Sequence, residues 1–105
     1  MAGSRIEVLK QLLEQNPAST FVRYGLAMEL VKSGELENAV IEFRAILAVE
    51  PAYSAAYFHG GQTLERLGKP DEARALYRDG IEASTRKKDW HTRDEIQAAL
   101  DLLGA

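Results

Sequence analysis

Shifted by 34 residues, the chain overlays itself: Leu30 falls on Leu64, Gly34 on Gly68, Ala39 on Ala73, Phe43 on Tyr77 and Arg44 on Arg78. A period of this length is the mark of a helix-turn-helix solenoid, because one paired-helix unit cannot bury its apolar face alone and stacks on its neighbours. Such architectures build binding surfaces far more often than active sites.

Composition is consistent with that constraint. With 105 residues, 46% hydrophobic and 28% charged, the sequence predicts a single domain over 1–105 with a modest core. The absence of cysteine removes disulfides, thiolate metal ligands and cysteine nucleophiles. A net charge of −3 and a pI near 5.4 argue against a nucleic-acid partner, since affinity for phosphates needs clustered Lys and Arg. No apolar run approaches the about 20 residues that cross a bilayer, so no membrane partner is expected. The opening Met1-Ala2-Gly3-Ser4-Arg5 lacks the apolar segment of a signal peptide, which makes the cytoplasm the expected location.

Apolar periodicity predicts an all-α fold of about six antiparallel helices and no strand. The first starts at Ser4, which forms a Ser-x-x-Glu capping box with Glu7, and carries Ile6, Leu9, Leu12 and Leu13 before Asn16-Pro17 ends it. The second, about 19–33, presents Val22, Leu26, Ala27 and Leu30 and stops at Gly34, which takes the left-handed conformation favoured after a helix end. The third, about 35–49, presents Leu36, Ala39, Val40, Phe43, Ile46 and Leu47, and Pro51 forbids its continuation. The fourth, about 53–67, again ends at a glycine, Gly68. Pro70 opens the fifth, with Asp71 and Glu72 at the positive end of its dipole, and Ala73, Leu76, Tyr77 and Ile81 run along it to about Ser84. Arg86, Lys87 and Lys88 follow its end.

The last helix, 90–103, leaves the 34-residue register. Thr92 and Glu95 form a second capping box, with Trp90 before it as a hydrophobic staple or, if exposed, a binding anchor. Ile96, Ala99, Leu100 and Leu103 make one narrow apolar stripe, while Arg93, Asp94, Gln97 and Asp101 face the other way. A terminal helix of a solenoid has this profile, having one neighbour and water on its far side. The chain reads as a complete small protein or as a domain of a longer one.

These residues resemble the tetratricopeptide repeat family, whose units carry large, apolar and small residues on a first helix and Ala-x-x-x-aromatic on a second, followed by proline. The segment 20–53 matches with Leu26, Ala27, Leu30, Gly34, Ala39, Phe43 and Pro51, and 54–87 with Tyr57, Gly61, Leu64, Gly68, Ala73 and Tyr77. The first helix, 4–17, resembles the second half of a unit, through Leu9, Leu12, Leu13 and Pro17. Three positions depart from the pattern: Arg23 stands at an aromatic site, Gly60 at an apolar one, and Thr85 where proline would close the second unit.

The resemblance implies an α-α superhelix whose leading helices line a concave surface that takes an extended peptide or a helix of a partner protein. Opposite the core stripe lie Phe21, Tyr24, Gly25, Met28 and Lys32 on one leading helix, and Ala55, Phe58, His59, Gln62 and Arg66 on the next. The candidate groove is Phe21, Tyr24, Met28, Phe58, His59, Gln62 and Arg66. Large apolar side chains on a face that packing does not need point to binding, and methionine suits an adaptable surface. A bland alternative has Phe21, Tyr24 and Phe58 packing on each other or on the end helices. Family members that hold a terminal carboxylate use Lys, Asn and Arg here. This chain offers Tyr24, Met28, His59 and Ala55 instead, so an apolar or amphipathic segment is the expected partner.

Nothing in the sequence supports catalysis or a cofactor. His59 and His91 are the only histidines and form no pair with ligand spacing to carboxylates, so no metal is expected, and no Ser-His-acid arrangement stands out. Arg66, Lys69, Arg74 and Arg78 are expected to be solvated and paired with Glu65, Asp71 and Glu72. The runner-up to an interaction module is a self-associating chain, a homodimer formed through the first or last helix.

Overall fold

The computed structural model describes the backbone of residues 2–104 and the side chains of residues 5–104. Six helices follow one another: α1 (Ala2–Gln15), α2 (Thr20–Lys32), α3 (Leu36–Val49), α4 (Ser54–Arg66), α5 (Pro70–Arg86) and α6 (Trp90–Leu103), with no strand among the described residues. Each packs against the next, and α4 also touches α6. The turns are short enough to force antiparallel neighbours, and cross-contacts show it: Arg5 pairs with Glu29 while Leu9 lies against Gly25, and Arg74 reaches Gly104 while Gly80 lies against Ile96.

The 34-residue register is visible in the turns. Glu35 N–H donates to Leu30 C=O at 2.9 Å and Lys69 N–H to Leu64 C=O at 2.9 Å, around Gly34 (φ +84°) and Gly68 (φ +73°). These six-to-one bonds satisfy carbonyls that a helix end leaves free. A third turn of the same form follows α5, where Asp89 N–H donates to Ser84 C=O at 2.9 Å, but here the left-handed residue is Lys88 (φ 60°). A left-handed L-residue costs about 1–2 kcal/mol, and glycine gives back about 0.4–1 kcal/mol through its freer unfolded chain. Lys88→Gly is therefore expected to stabilise the protein by about 0.5–1 kcal/mol. A thermal melt checks this, and an unchanged or lower midpoint rules out strain in that turn.

The register also explains one departure from the family pattern. The Tyr57 hydroxyl donates to Pro51 C=O at 2.8 Å, and 34 residues earlier Arg23 donates through Nη2 to Pro17 C=O at 3.3 Å. Arg23 further binds Glu42 on α3 at 2.6 Å. A guanidinium thus reaches the same carbonyl as the phenol does, which is why the aromatic is dispensable there.

The core consists of two joined clusters. Ile6, Leu26, Ala27, Leu30, Ala39, Phe43, Ile46 and Ala56 form one, Val40, Tyr57, Leu64, Ala73, Leu76, Tyr77, Ala83, Ile96 and Leu100 the other, and Leu47 packs against both. Phe43 and Tyr77 are fully buried. The buried hydroxyls are satisfied: Ser84 and Thr63 bond to the carbonyls of Gly80 and His59, each at 2.7 Å, and Ser54 bonds to Asp89. This agrees with the cost of leaving such groups unpaired.

Several sequence expectations need correction. Helix α1 already runs from Ala2, so Ser4 does not begin it; the Ser4 side chain, on which the Ser4–Glu7 box depends, lies outside the described residues. Leu12 is not core but 44% exposed, beside Val8 at 52%, because no helix covers that side of α1. Helix α5 continues to Arg86, 17 residues against 14 for α3, since Thr85 stands where Pro51 stops α3. The cap of α6 is Asp89, whose side chain accepts from Thr92 N–H at 3.3 Å, rather than Thr92 with Glu95. Trp90 is consequently the first helical residue, 54% exposed, and not a staple. Of the expected charge pairs, Arg74–Asp71 forms, whereas Glu72 goes to Arg44 and Glu65 accepts from the Tyr77 hydroxyl.

Candidate functional site: the face of the leading helices

Helices α2, α4 and α6 each begin a hairpin or stand in that place, and their outer faces share one side of the molecule. Small residues make this possible. A Cβ on Gly61 would lie 2.2 Å from Tyr77 Cε1, and one on Gly60 2.9 Å from Leu76 Cδ2, so the inner face of α4 sits directly on α5. Its bulk goes to the opposite face, through Phe58, His59 and Gln62.

On that face the rings of α2 and α4 meet. Tyr24 and His59 have centroids 6.0 Å apart across the helix pair, Tyr24 stacks at a tilt on Tyr53 at 5.4 Å, and Phe58 packs edge-on to His59 at 5.1 Å. Tyr24 also touches the buried Phe43 edge-on at 6.3 Å, which ties the surface cluster to the core. Such pairs add about 0.5–1.5 kcal/mol each beyond area burial. The cluster is therefore a preformed platform.

Beside it lies a cleft of about 70 Å³ lined by Met28, Val31, His59, Gln62, Thr63 and Arg66. The structure brings Tyr24, Met28, Phe58, His59, Gln62 and Arg66 together on this face. Phe21 faces the same way but stands apart, 81% exposed. The packing alternative is met in part, because Tyr24 and Phe58 lean on the core while keeping exposed surface.

Electrostatics keep the platform neutral. Burial pushes the His59 imidazole below its usual pKa, with the Glu95 carboxylate of α6 opposing. Burial, reinforced by Tyr53, raises the Tyr24 phenol. Both rings stay uncharged at neutral pH, His59 able to accept or donate one hydrogen bond and Tyr24 to donate one. Among the described residues the Thr63 hydroxyl donates to the His59 backbone carbonyl and no hydroxyl bonds to either imidazole, and no three His, Cys, Asp or Glu side chains converge as a metal would need. The face can hold a side chain; it has no nucleophile paired with a base.

Sequence reasoning missed Tyr53, Val31, Thr63 and Glu95. Tyr53 is the residue capping α4, and its contact with Tyr24 spans 29 positions. Val31 and Thr63 follow the helical spacing of Met28 and His59 and could have been read from it. Glu95 needed the placement of α6 against α4.

An all-helical stack of antiparallel hairpins with an open leading-helix face defines the class of helical-repeat solenoids. The tetratricopeptide repeat pattern matches residues 54–86. The chain is similar to a tetratricopeptide repeat domain protein from Salinibacter ruber solved in solution, with TM-score 0.79, 31% identity, and coverage of 84% of this chain and 89% of that one. This protein belongs to the tetratricopeptide repeat family. Its fold also matches PcrH, crystallised in complex with the chaperone binding region of PopD, at TM-score 0.90 over 97% of this chain and 77% of that one, with 14% identity. In sequence it is 37% identical over 76 residues, 71% of its length, to protein HemY of Escherichia coli K12. It spans only 19% of that curated relative.

Proposed function

We propose that this chain is an interaction module that takes an apolar or amphipathic segment of a partner protein, as a helix or an extended strand, on the face formed by α2 and α4. The observation that carries this reading is the ring platform of Tyr24, Tyr53, Phe58 and His59 beside the Met28 cleft, aromatic surface that rests on the core and yet stays partly open. Partly exposed aromatic anchors next to a cleft are the usual centre of binding energy at protein interfaces. The related fold of PcrH, seen with a segment of PopD, supports the same use of the architecture.

The test is affinity capture on the wild-type chain beside Tyr24→Ala/Phe58→Ala, with circular dichroism to confirm that both are folded. Loss of two such anchors should weaken partner binding by tenfold or more, about 1.4 kcal/mol or greater. Partners retained equally by both chains would overturn the groove.

A further inference from the structure

The leading-helix face is electrically lopsided. Tyr24, Tyr53 and Phe58 occupy the end where α2 and α4 begin, and Lys32 and Arg66, 34 residues apart, occupy the end where they finish, one helical turn beyond Met28 and Gln62. Both cations are exposed, Arg66 lines the cleft, and neither makes an ion pair among the described residues. The carboxylates best placed along the chain to neutralise them are engaged elsewhere: Glu29 is held by Arg5 at 3.4 Å, Glu65 by the Tyr77 hydroxyl, and Glu35 by Ser33 and Asn38. A cation in the last turn of a helix also meets the negative end of the dipole. That accounts for a basic residue in each last turn, but not for the lack of an ion pair to either among the described residues.

Resting on the groove reading above, we propose that the partner segment is acidic at one end: an apolar side chain seats in the Met28–Val31–His59 cleft, and one or two side-chain carboxylates beside it meet Lys32 and Arg66. Complementary charge sets the register and direction of a bound segment more than its affinity, so the cations select which way the segment lies. The carboxylates sit at the exposed lip, and binding weakens with salt as the screening length contracts from about 10 Å at 0.1 M.

The test is selection from a displayed library of short random peptides on three folded chains: wild type, Lys32→Glu/Arg66→Glu, and Tyr24→Ala/Phe58→Ala. Wild type should enrich Leu, Ile or Met followed within a turn by Asp or Glu, and the charge-reversed chain should bind those peptides about tenfold more weakly or worse and enrich Lys or Arg instead. Peptides lost on the alanine variant but held equally by the charge-reversed chain would overturn the acidic partner and leave the groove standing. Peptides held equally by all three chains, or none selected by any, would overturn both.

Discussion

Phe43→Ala is expected to cost about 3–5 kcal/mol, the range for emptying a buried aromatic site. Phe43 is fully buried, and three helices close on it. Ala39 and Ile46 flank it on α3, Tyr24 of α2 meets its ring edge-on at 6.3 Å, and Gly60 brings the α4 backbone so near that an added Cβ would lie 3.4 Å from Phe43 Cβ. Backbone this close to the ring on one side and a second ring on another leave little room to collapse into the vacated volume, so the loss should fall in the upper part of that range. Total stability for a domain of this kind is about 5–15 kcal/mol, so the variant should lose a large share of it. Urea titration followed by circular dichroism measures it. A loss under about 1 kcal/mol, the typical cost of an arbitrary substitution, would show that Phe43 does not organise the core.

Gly61→Ala is the second large effect, and its sign opposes helix propensity. In an exposed helix the change stabilises by about 1 kcal/mol. Here the new methyl would stand 2.2 Å from Tyr77 Cε1 and 2.6 Å from Cδ1, and the ring cannot slide away because its hydroxyl is bonded to Glu65, one turn along α4 from Gly61. Overpacking of this kind costs about 1–3 kcal/mol, so a net loss is expected. The preceding hairpin indicates the remedy. At the equivalent positions Ala27 sits with Phe43, both fully buried, so the same crossing accepts a methyl when the aromatic lacks the tether. Gly61→Ala/Tyr77→Phe should therefore recover much of the stability, with a coupling of about 1 kcal/mol or more in a double-mutant cycle. Strict additivity would mean that the hydroxyl does not hold the ring in place.

The legible parts of the fold were those fixed by local rules. Gly34 and Gly68 marked turns because those turns need a left-handed residue, and Ala39, Phe43, Ala73 and Tyr77 marked the core because their spacing repeats with the helix and with the hairpin. Lys88 takes the same backbone conformation without a residue type to announce it. The start of α6 at residue 90 was legible but its cap was not, because Thr92 and Glu95 imitate one, while the true cap, Asp89, is held in place by Ser54, 35 positions away. Hydrogen bonds from Thr92 and Ser54 lower the Asp89 pKa and keep it ionised as a cap. Leu12 shows the complementary failure: periodicity says which side of a helix is apolar, not whether another element covers it.

The same distinction holds for the candidate site. Tyr24, Met28, Phe58, His59, Gln62 and Arg66 could be named from helical spacing alone, since they lie opposite the core stripe. That Tyr24 meets Tyr53, and that Glu95 faces His59, depends on turns and on the seating of α6, which no short-range pattern encodes.

The two ends of the stack are chemically unlike. On α1, Val8 and Leu12 are bare hydrocarbon, whereas on α6 the polar residues are already engaged, Arg93 with Asp94 at 3.1 Å and Gln97 with Asp101 at 3.0 Å. A designer grafting further hairpins onto this scaffold thus meets a one-way street. Material fused ahead of α1 gains a greasy seam to cover, while material fused behind α6 must first break the Arg93–Asp94 and Gln97–Asp101 pairs to reach the bare Leu102.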